Sequence, residues 1–322
     1  MREYANLVRQ VIETGQSQDN ERTGVGTLSV FDRYMQFSHL TCGLFPLLTI
    51  KKVHVRSVMA ELVWFLMGQS NTSLLHSVGV TIWDEWAVTK EESTRLEKMM
   101  GEPSLWVEPG DLGNVYGTQW RGTRNHSLKG PDQILNLVTQ LKENPQSRRL
   151  MVMAWNPEDL PTGNRDHDII NKKALLPPCH YGFQCYVVKQ DGRSFLNLKW
   201  EQRSVDFSLG APFNIASYAM LLLMLSVHCK VQPGLLSVSM GDVHIYKNHV
   251  DIMSDVISSR VPLPPPRYVL SQDFSDVCDY LFNPDRDCLR GDVDKFKWCV
   301  DVLTNTIQDY TSHPTVKLAV AV

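Results

Sequence analysis

None of the seven cysteines in this chain forms a CxxC pair, and none stands with histidines at the spacing of a zinc site. That absence argues against a zinc ribbon, a zinc finger or a dithiol redox motif, and no bound metal is expected. Seven is also an odd number, ill suited to a disulfide framework. The segment "MREYANLVRQVIETGQ" reads as a polar amphipathic helix rather than a charged head followed by an apolar signal core. Together these lead us to expect a reducing, cytoplasmic setting. Long apolar runs are missing as well. The longest, "AMLLLMLSV" at 219–227, is far shorter than the roughly 20 residues that cross a bilayer, so it is expected to be core helix, and no membrane partner is expected. Positive charge is not in excess either: the formal net charge is −3, which argues against a nucleic-acid groove or a membrane-binding face. A local anion site remains compatible with that balance. Internal repeats, low-complexity tracts and domain linkers are absent, and "RTGVG" at 22–26 lacks the lysine and the length of a P-loop.

What is present is the composition of a globular chain, 322 residues with 43% apolar and 21% charged, enough for one large domain. Helix-like and strand-like periods alternate without a βαβ rhythm, which gives an α+β class. "RSVMAELVWFLMGQ" (56–69) has helical apolar spacing, with Gly68 where the pattern ends; "FNIASYAMLLLMLSVHC" (213–229) is a long buried helix. "SRRLMVMAWNP" (147–157), "CHYGFQCYVVK" (179–189) and "RSFLNLKWEQRS" (193–204) read as strands, the last two joined by a turn at Asp191-Gly192. Charge breaks the pattern at 88–109, a surface insertion, and "RVPLPPPRY" (260–268) is a stiff extended connector.

The stretch "LLPPCHYGFQCYVV" (175–188) concentrates the chemistry. A cysteine is most often a buried, inert residue, and Cys42, Cys185, Cys229, Cys278, Cys288 and Cys299 are given that reading. Cys179 differs because two prolines constrain its backbone and arginine-bearing strands are at hand, and a neighbouring cation turns a thiol into a nucleophile. His180, next along a strand, points to the opposite face, so arginine is the expected activator. A papain-like hydrolase would need a helix to begin at Cys179, where a strand is read. Arg22, the pair Arg148-Arg149, and Arg203 beside Ser204 carry the forked donors that surround a phosphate.

Eight blocks, in order, resemble the thymidylate synthase family: "ERTGVGT", "IWDEWA", "GDLGNVYGTQWR", "SRRLMVMAWNP", "LLPPCHYGFQCYV", "QRSVDFSLGAPFNIASYA", "GDVHIYKNH" and "SHPTVKLAVAV". The resemblance runs from about residue 2 to 322. It implies a single domain, 1–322, in which a mixed, largely antiparallel sheet packs on helices. It implies that Cys179 adds to C6 of the uracil ring of dUMP, and that 5,10-methylenetetrahydrofolate then donates the one-carbon unit and a hydride. By the same resemblance Arg22, Gln202, Arg203 and Ser204 belong to the dUMP site, with Arg148 and Arg149 reaching it from the partner in a homodimer. Asn214 would read the uracil edge, since an amide both donates and accepts. His244 and Tyr246 would hold the sugar 3′-hydroxyl. Glu61, Tyr116, His180 and Asp206 would form the catalytic proton network, and Lys51, Trp83, Asp206, Leu209, Gly210, Ala321 and Val322 would meet the folate.

Taken singly, Trp83 and Trp86 would be core aromatics, Asn214 a helix cap and Glu61 a carboxylate on a helix surface. Three residues depart from the family pattern. Ser208 stands where phenylalanine is common, Ala211 where a larger aliphatic is common, and Ile50 replaces a threonine. Small side chains beside a folate pocket would admit water, and water in place of hydride gives 5-hydroxymethyl-dUMP. A dUMP hydroxymethylase is therefore the alternative to a synthase, and a non-catalytic nucleotide- or RNA-binding relative is a third reading. The apolar ending "KLAVAV" suits a lid over the folate and favours the synthase.

Overall fold

The computed structural model describes residues 2–19, 24–101, 107–123, 130–283, 285 and 291–320. Six strands build the main sheet: β1 (Gln16–Gln18), β2 (Thr27–Phe37), β3 (Met151–Met153), β4 (His180–Gln190), β5 (Arg193–Asp206) and β6 (Gln232–Tyr246). Their spatial order is β1-β2-β6-β5-β4-β3. Every neighbouring pair is antiparallel except β5 and β6, so the sheet is mixed and mostly antiparallel, as expected. Asp191 and Gly192 join β4 to β5 with φ of 50° and 74°, the paired left-handed conformations of a two-residue hairpin. The strand read over 147–157 is much shorter. Only Met151–Met153 pairs with β4; the chain then turns into a short 3-10 helix at Pro157–Asp159, where proline has no N–H for a ladder.

Helices cover the core face. Gly210–His228 is buried almost all round, because β5 and β6 lie on one side and the helices Val55–Leu66 and Gln272–Leu281 on others. At 19 residues it is longer than the 219–227 run alone and apolar enough to span a bilayer by length, but 78% of its apolar window is buried inside the protein. Such all-round hydrophobicity is that of a core helix. Val55–Leu66 is enclosed in the same way from Val58 to Leu66, and Gly68 follows with φ 67°.

The charged stretch at 88–109 has structure of its own. Thr89 and Glu92 form a reciprocal capping box at the start of helix Lys90–Met100. Val88, Leu96, Val107 and Ile169 make a small separate apolar cluster, and the ion pairs Arg95–Asp166 and Arg165–Glu92 tie the insertion to helix Arg165–Ile170.

One irregularity runs across the sheet and shapes the site. In β5 the buried residues are Leu196, Leu198, Trp200 and Gln202, and then Val205; in β6 the most deeply buried apolar side chains are Leu236, Val238 and Met240, and then Val243 and Ile245. Strict alternation would have buried residues 204 and 242. The phase changes at the same level in both strands, where Ser204 pairs with Asp242, and β2 carries the left-handed Asp32 (φ 59°) at the matching level. An extra residue bends a strand and re-aims its side chains. Here the bend leaves Arg203, Ser204 and Asp242 off the core face, at one end of the sheet.

Candidate active site

β4 runs antiparallel to β5, and β5 parallel to β6. The first residues of β4 therefore meet the last residues of β5 and β6, which gathers Cys179 and His180, Gln202 to Asp206, and Asp242 to Tyr246 at a common edge. Asn214 joins them one turn into helix Gly210–His228.

Cys179 sits half-buried at the mouth of this edge. Its N–H donates to the Tyr116 hydroxyl oxygen at 2.7 Å, and its carbonyl accepts from the Arg203 N–H at 2.9 Å. The Arg203 guanidinium donates to Pro178 O at 2.8 Å and to Pro177 O at 3.1 Å, and lies 5.5 Å from the Trp155 ring centroid. Two prolines lack N–H donors and leave their carbonyls unclaimed by a ladder, so arginine stitches them and thereby holds a permanent cation on the loop that carries the thiol. The His180 ring is engaged elsewhere and is not a cation: Nδ1 is 2.9 Å from the Tyr218 hydroxyl, and burial pushes the imidazole down to about 3. His180 is thus neutral and stacks on Tyr116 at 4.2 Å. The sequence argument for arginine over histidine agrees with this arrangement.

Glu61 is the anomaly of the inner wall. It lies within the enclosed part of helix Val55–Leu66, not on a helix surface, and its Oε1 accepts from Trp83 Nε1 at 2.9 Å. Burial drives its carboxyl up to about 7, against the lowering effect of the Trp83 N–H, so it exchanges its proton near neutrality. Tyr116 is buried beside it, its hydroxyl raised well above the usual phenol range, first by burial and then by the nearby Cys179. Its oxygen accepts from Cys179, which leaves the phenol proton to be donated.

Asn214 is an interior helix residue, not a cap. Its Oδ1 accepts from Gln202 Nε2 at 2.9 Å, and Gln202 Oε1 accepts from Trp200 Nε1 at 3.0 Å. That chain fixes which end of the Asn214 amide is oxygen and leaves Nδ2 as a donor, a directional reader. Ser204 Oγ donates to Asp242 Oδ2 at 3.3 Å, His244 Nδ1 lies 2.9 Å from the same oxygen, and Tyr246 packs edge-on to His244 at 5.2 Å. On the other flank Asp206 Oδ1 accepts from the N–H groups of Ser208 (2.8 Å) and Leu209 (3.2 Å), opening the helix that begins at Gly210. Lys51 is buried; that burial lowers its ammonium to about 8 while the charge of Asp206 opposes the fall.

Arg148 and Arg149 are not brought to this edge of their own chain. Leu150 O bonds to Cys185 N, so the antiparallel register puts Arg149 level with Tyr186, seven residues along β4 from Cys179. At ~3.3 Å per residue that is roughly 20 Å, beyond the reach of an arginine side chain. Arg22, Ala321 and Val322 lie outside the described residues, as does Cys288.

Sequence reasoning overlooked three residues that the structure places here. Tyr218 is four residues from Asn214 on the same helix face, a spacing that marks it. Asp242 is two residues from His244 in one strand, although the bend and not the alternation brings its carboxylate to Ser204. For Trp155 no sequence signal separates a cation-facing ring from a core ring.

The family model described as thymidylate synthase matches residues 2–322. This chain belongs to the thymidylate synthase family. Thymidylate synthases are methyltransferases of nucleotide biosynthesis that act on dUMP and use 5,10-methylenetetrahydrofolate as co-substrate, and the donor set fits such a pterin. Lys51 is buried within the field of Asp206, the Glu61 carboxyl titrates near neutrality, and an added Cβ at Gly210 would meet no side chain nearer than Asn214 Oδ1 at 3.9 Å. The three departures from the family pattern are all buried. Ser208 is fully buried with an unpartnered hydroxyl, Ala211 is buried in the first turn of the long helix, and Ile50 is buried with its carbonyl bound to Arg260.

Proposed function

We propose that this protein converts dUMP to dTMP by reductive methylation, with Cys179 as the covalent nucleophile. The observation that carries the reading is the Cys179 loop itself, a half-buried thiol whose flanking carbonyls are tied to Arg203 and whose N–H is tied to Tyr116. Cys179 adds to C6 of the uracil ring and makes C5 nucleophilic. The folate co-substrate supplies the one-carbon unit and the reducing hydride. Everything else is done by the chain. Asn214 donates through Nδ2 to the uracil O4 and accepts from N3–H. Arg203 keeps one guanidinium nitrogen, Nη1, for the phosphate, joined by Ser204, and Arg22 is proposed to complete that site. Glu61 accepts and returns protons at the ring, with Tyr116 and neutral His180 as its relay. Lys51, Trp83, Asp206, Leu209 and Gly210 form the folate wall, and Ala321 and Val322 its closing end.

The position of Arg148 and Arg149 supports a homodimer. Both are exposed at the sheet edge, roughly 20 Å from their own Cys179, on a sheet face that also exposes Met151, Met153 and Tyr186 and, across the sheet on β2, Tyr34, each 37–57% exposed. A second copy packed on that face would cover those side chains and carry the two arginines to its partner's phosphate site.

Ser208 and Ala211 are both buried in the protein, which is compatible with the synthase reading. Incubation with dUMP and 5,10-methylenetetrahydrofolate should yield dTMP and dihydrofolate in equal amounts, identified by mass. If 5-hydroxymethyl-dUMP and tetrahydrofolate form instead, the hydroxymethylase reading replaces it.

Base choice provides a separate check. Asn214→Asp should shift the ratio of kcat/KM for dUMP over dCMP toward dCMP by about 10–100-fold, since a protonated carboxyl presents donor and acceptor to cytosine in the reversed sense. An unchanged ratio would remove Asn214 from base recognition.

A further inference from the structure

Asp242 binds three of the side chains around it, from three strands. Its Oδ1 accepts from the Ser29 hydroxyl on β2 in a short contact, and its Oδ2 faces His244 Nδ1 at 2.9 Å on β6 and the Ser204 hydroxyl at 3.3 Å on β5. Burial alone would raise its carboxyl, but the hydrogen bonds from His244, Ser29 and Ser204 together hold it below the ordinary carboxylate value. An ionised carboxylate only accepts, so Nδ1 of His244 must carry the proton. In a neutral imidazole the other nitrogen is then an acceptor. His244 Nε2 makes no protein hydrogen bond among the described residues, and the ring is held edge-on by Tyr246.

We infer that Asp242 is a positioning residue that fixes the tautomer of His244, so that the site selects nucleotides whose sugar 3′-hydroxyl donates a hydrogen bond. The inference rests on the reading of this edge as a dUMP site. A sugar hydroxyl both donates and accepts; with Nε2 as acceptor it binds by donating, and a 3′-phosphate or 3′-ether, which has no proton to give, is refused. Ser204 behaves differently. A phosphate has acceptors only, so Ser204 turns its hydroxyl proton from Asp242 to the phosphate on binding. The 3.3 Å bond is the longest of the three and the easiest to give up, while the imidazole contact stays.

The test pairs Asp242→Ala with dUMP and 2′,3′-dideoxyuridine monophosphate. In the wild type, loss of the 3′-hydroxyl should weaken binding about tenfold, the effect of one well-placed hydrogen bond. In Asp242→Ala that discrimination should fall to within about twofold, with dUMP weakened and the dideoxy nucleotide little changed. Asp242→Asn, which can offer either oxygen or amide to Nδ1, should lie between. Equal weakening of both nucleotides, with the tenfold preference kept, would reduce Asp242 to a structural residue and overturn the inference. Nitrogen-15 spectra of the wild-type imidazole judge the tautomer without any nucleotide. Nδ1 protonated and Nε2 bare is the expected state, and an Nε2–H form or a doubly protonated ring overturns the inference even if Asp242→Ala does not fold. Should the wild type bind neither nucleotide, the dUMP reading falls, and the spectra still decide the tautomer.

Discussion

Replacing Cys179 by serine is expected to cut turnover of dUMP by at least ~10⁴-fold while the dissociation constant for dUMP stays within about threefold. The separation follows from where the parts sit. The thiol belongs to the loop before β4, whereas the proposed base reader Asn214 is on helix Gly210–His228 and the proposed sugar and phosphate contacts are on β5 and β6. Serine fits the same space, and the backbone bonds of residue 179 to Tyr116 and Arg203 do not involve the side chain. Only nucleophilicity is lost, because an alcohol is scarcely ionised near neutral pH. Turnover near the wild-type rate would end the covalent mechanism. Loss of dUMP binding would show that the loop, and not the thiol alone, had been disturbed.

Glu61→Gln is expected to lower kcat by about 10²–10³-fold and, at alkaline pH, to stabilise the protein. A carboxyl that ordinarily titrates at 4.5 titrates at about 7 inside this fold because burial disfavours its charge. The native state therefore holds a proton that the unfolded chain has released, and stability declines as pH rises from about 4.5 to about 7. At ~1.4 kcal/mol per pH unit the difference is on the order of 3 kcal/mol. Glutamine keeps the shape and an acceptor for Trp83 without the charge. Denaturant midpoints of variant and wild type should diverge, in favour of the variant, as pH rises from about 4.5 to about 7, and stay apart above that. A variant no more stable at pH 8 than at pH 5, relative to wild type, would mean that the carboxyl is not strained by burial. A better fold with a poorer reaction is the signature of a group retained for chemistry.

The readable parts of the chain were those written in local chemistry. Asp191-Gly192 marks a hairpin because few other pairs accept two left-handed residues, and Pro177-Pro178 before Cys179 marks a fixed loop. Strand alternation set His180 on the face opposite Cys179, and the arginine-bearing strands at hand made arginine the expected partner of the thiol. The parts that stayed hidden depend on what lies behind an element. Helical spacing assigns one inward face, so it cannot foresee a helix such as Val55–Leu66 that is enclosed on every side, with Glu61 forced into the interior. Arg121 reads as a motif arginine, yet it is 1% exposed, bound to Asp132 and to the carbonyls of Leu66 and Leu281; nothing local distinguishes it from the proposed phosphate arginines. Alternation likewise fails at the bend across β2, β6 and β5, where Ser204 and Asp242 would otherwise have faced the core. At 88–109 charge density suggested only a surface stretch, and nothing in it foretold that its own Val88, Leu96 and Val107 would cluster with Ile169 from a distant segment.

The most direct measurement is the intact mass of the protein after incubation with 5-fluoro-dUMP and 5,10-methylenetetrahydrofolate. Fluorine at C5 cannot leave as a proton, so a nucleotide attached through C6 remains on the enzyme. The account predicts a gain of one nucleotide plus one folate per chain, mapped to the peptide that contains Cys179 and absent from Cys179→Ser. An unmodified mass, or an adduct carried by another cysteine while the wild type turns over dUMP, would contradict it.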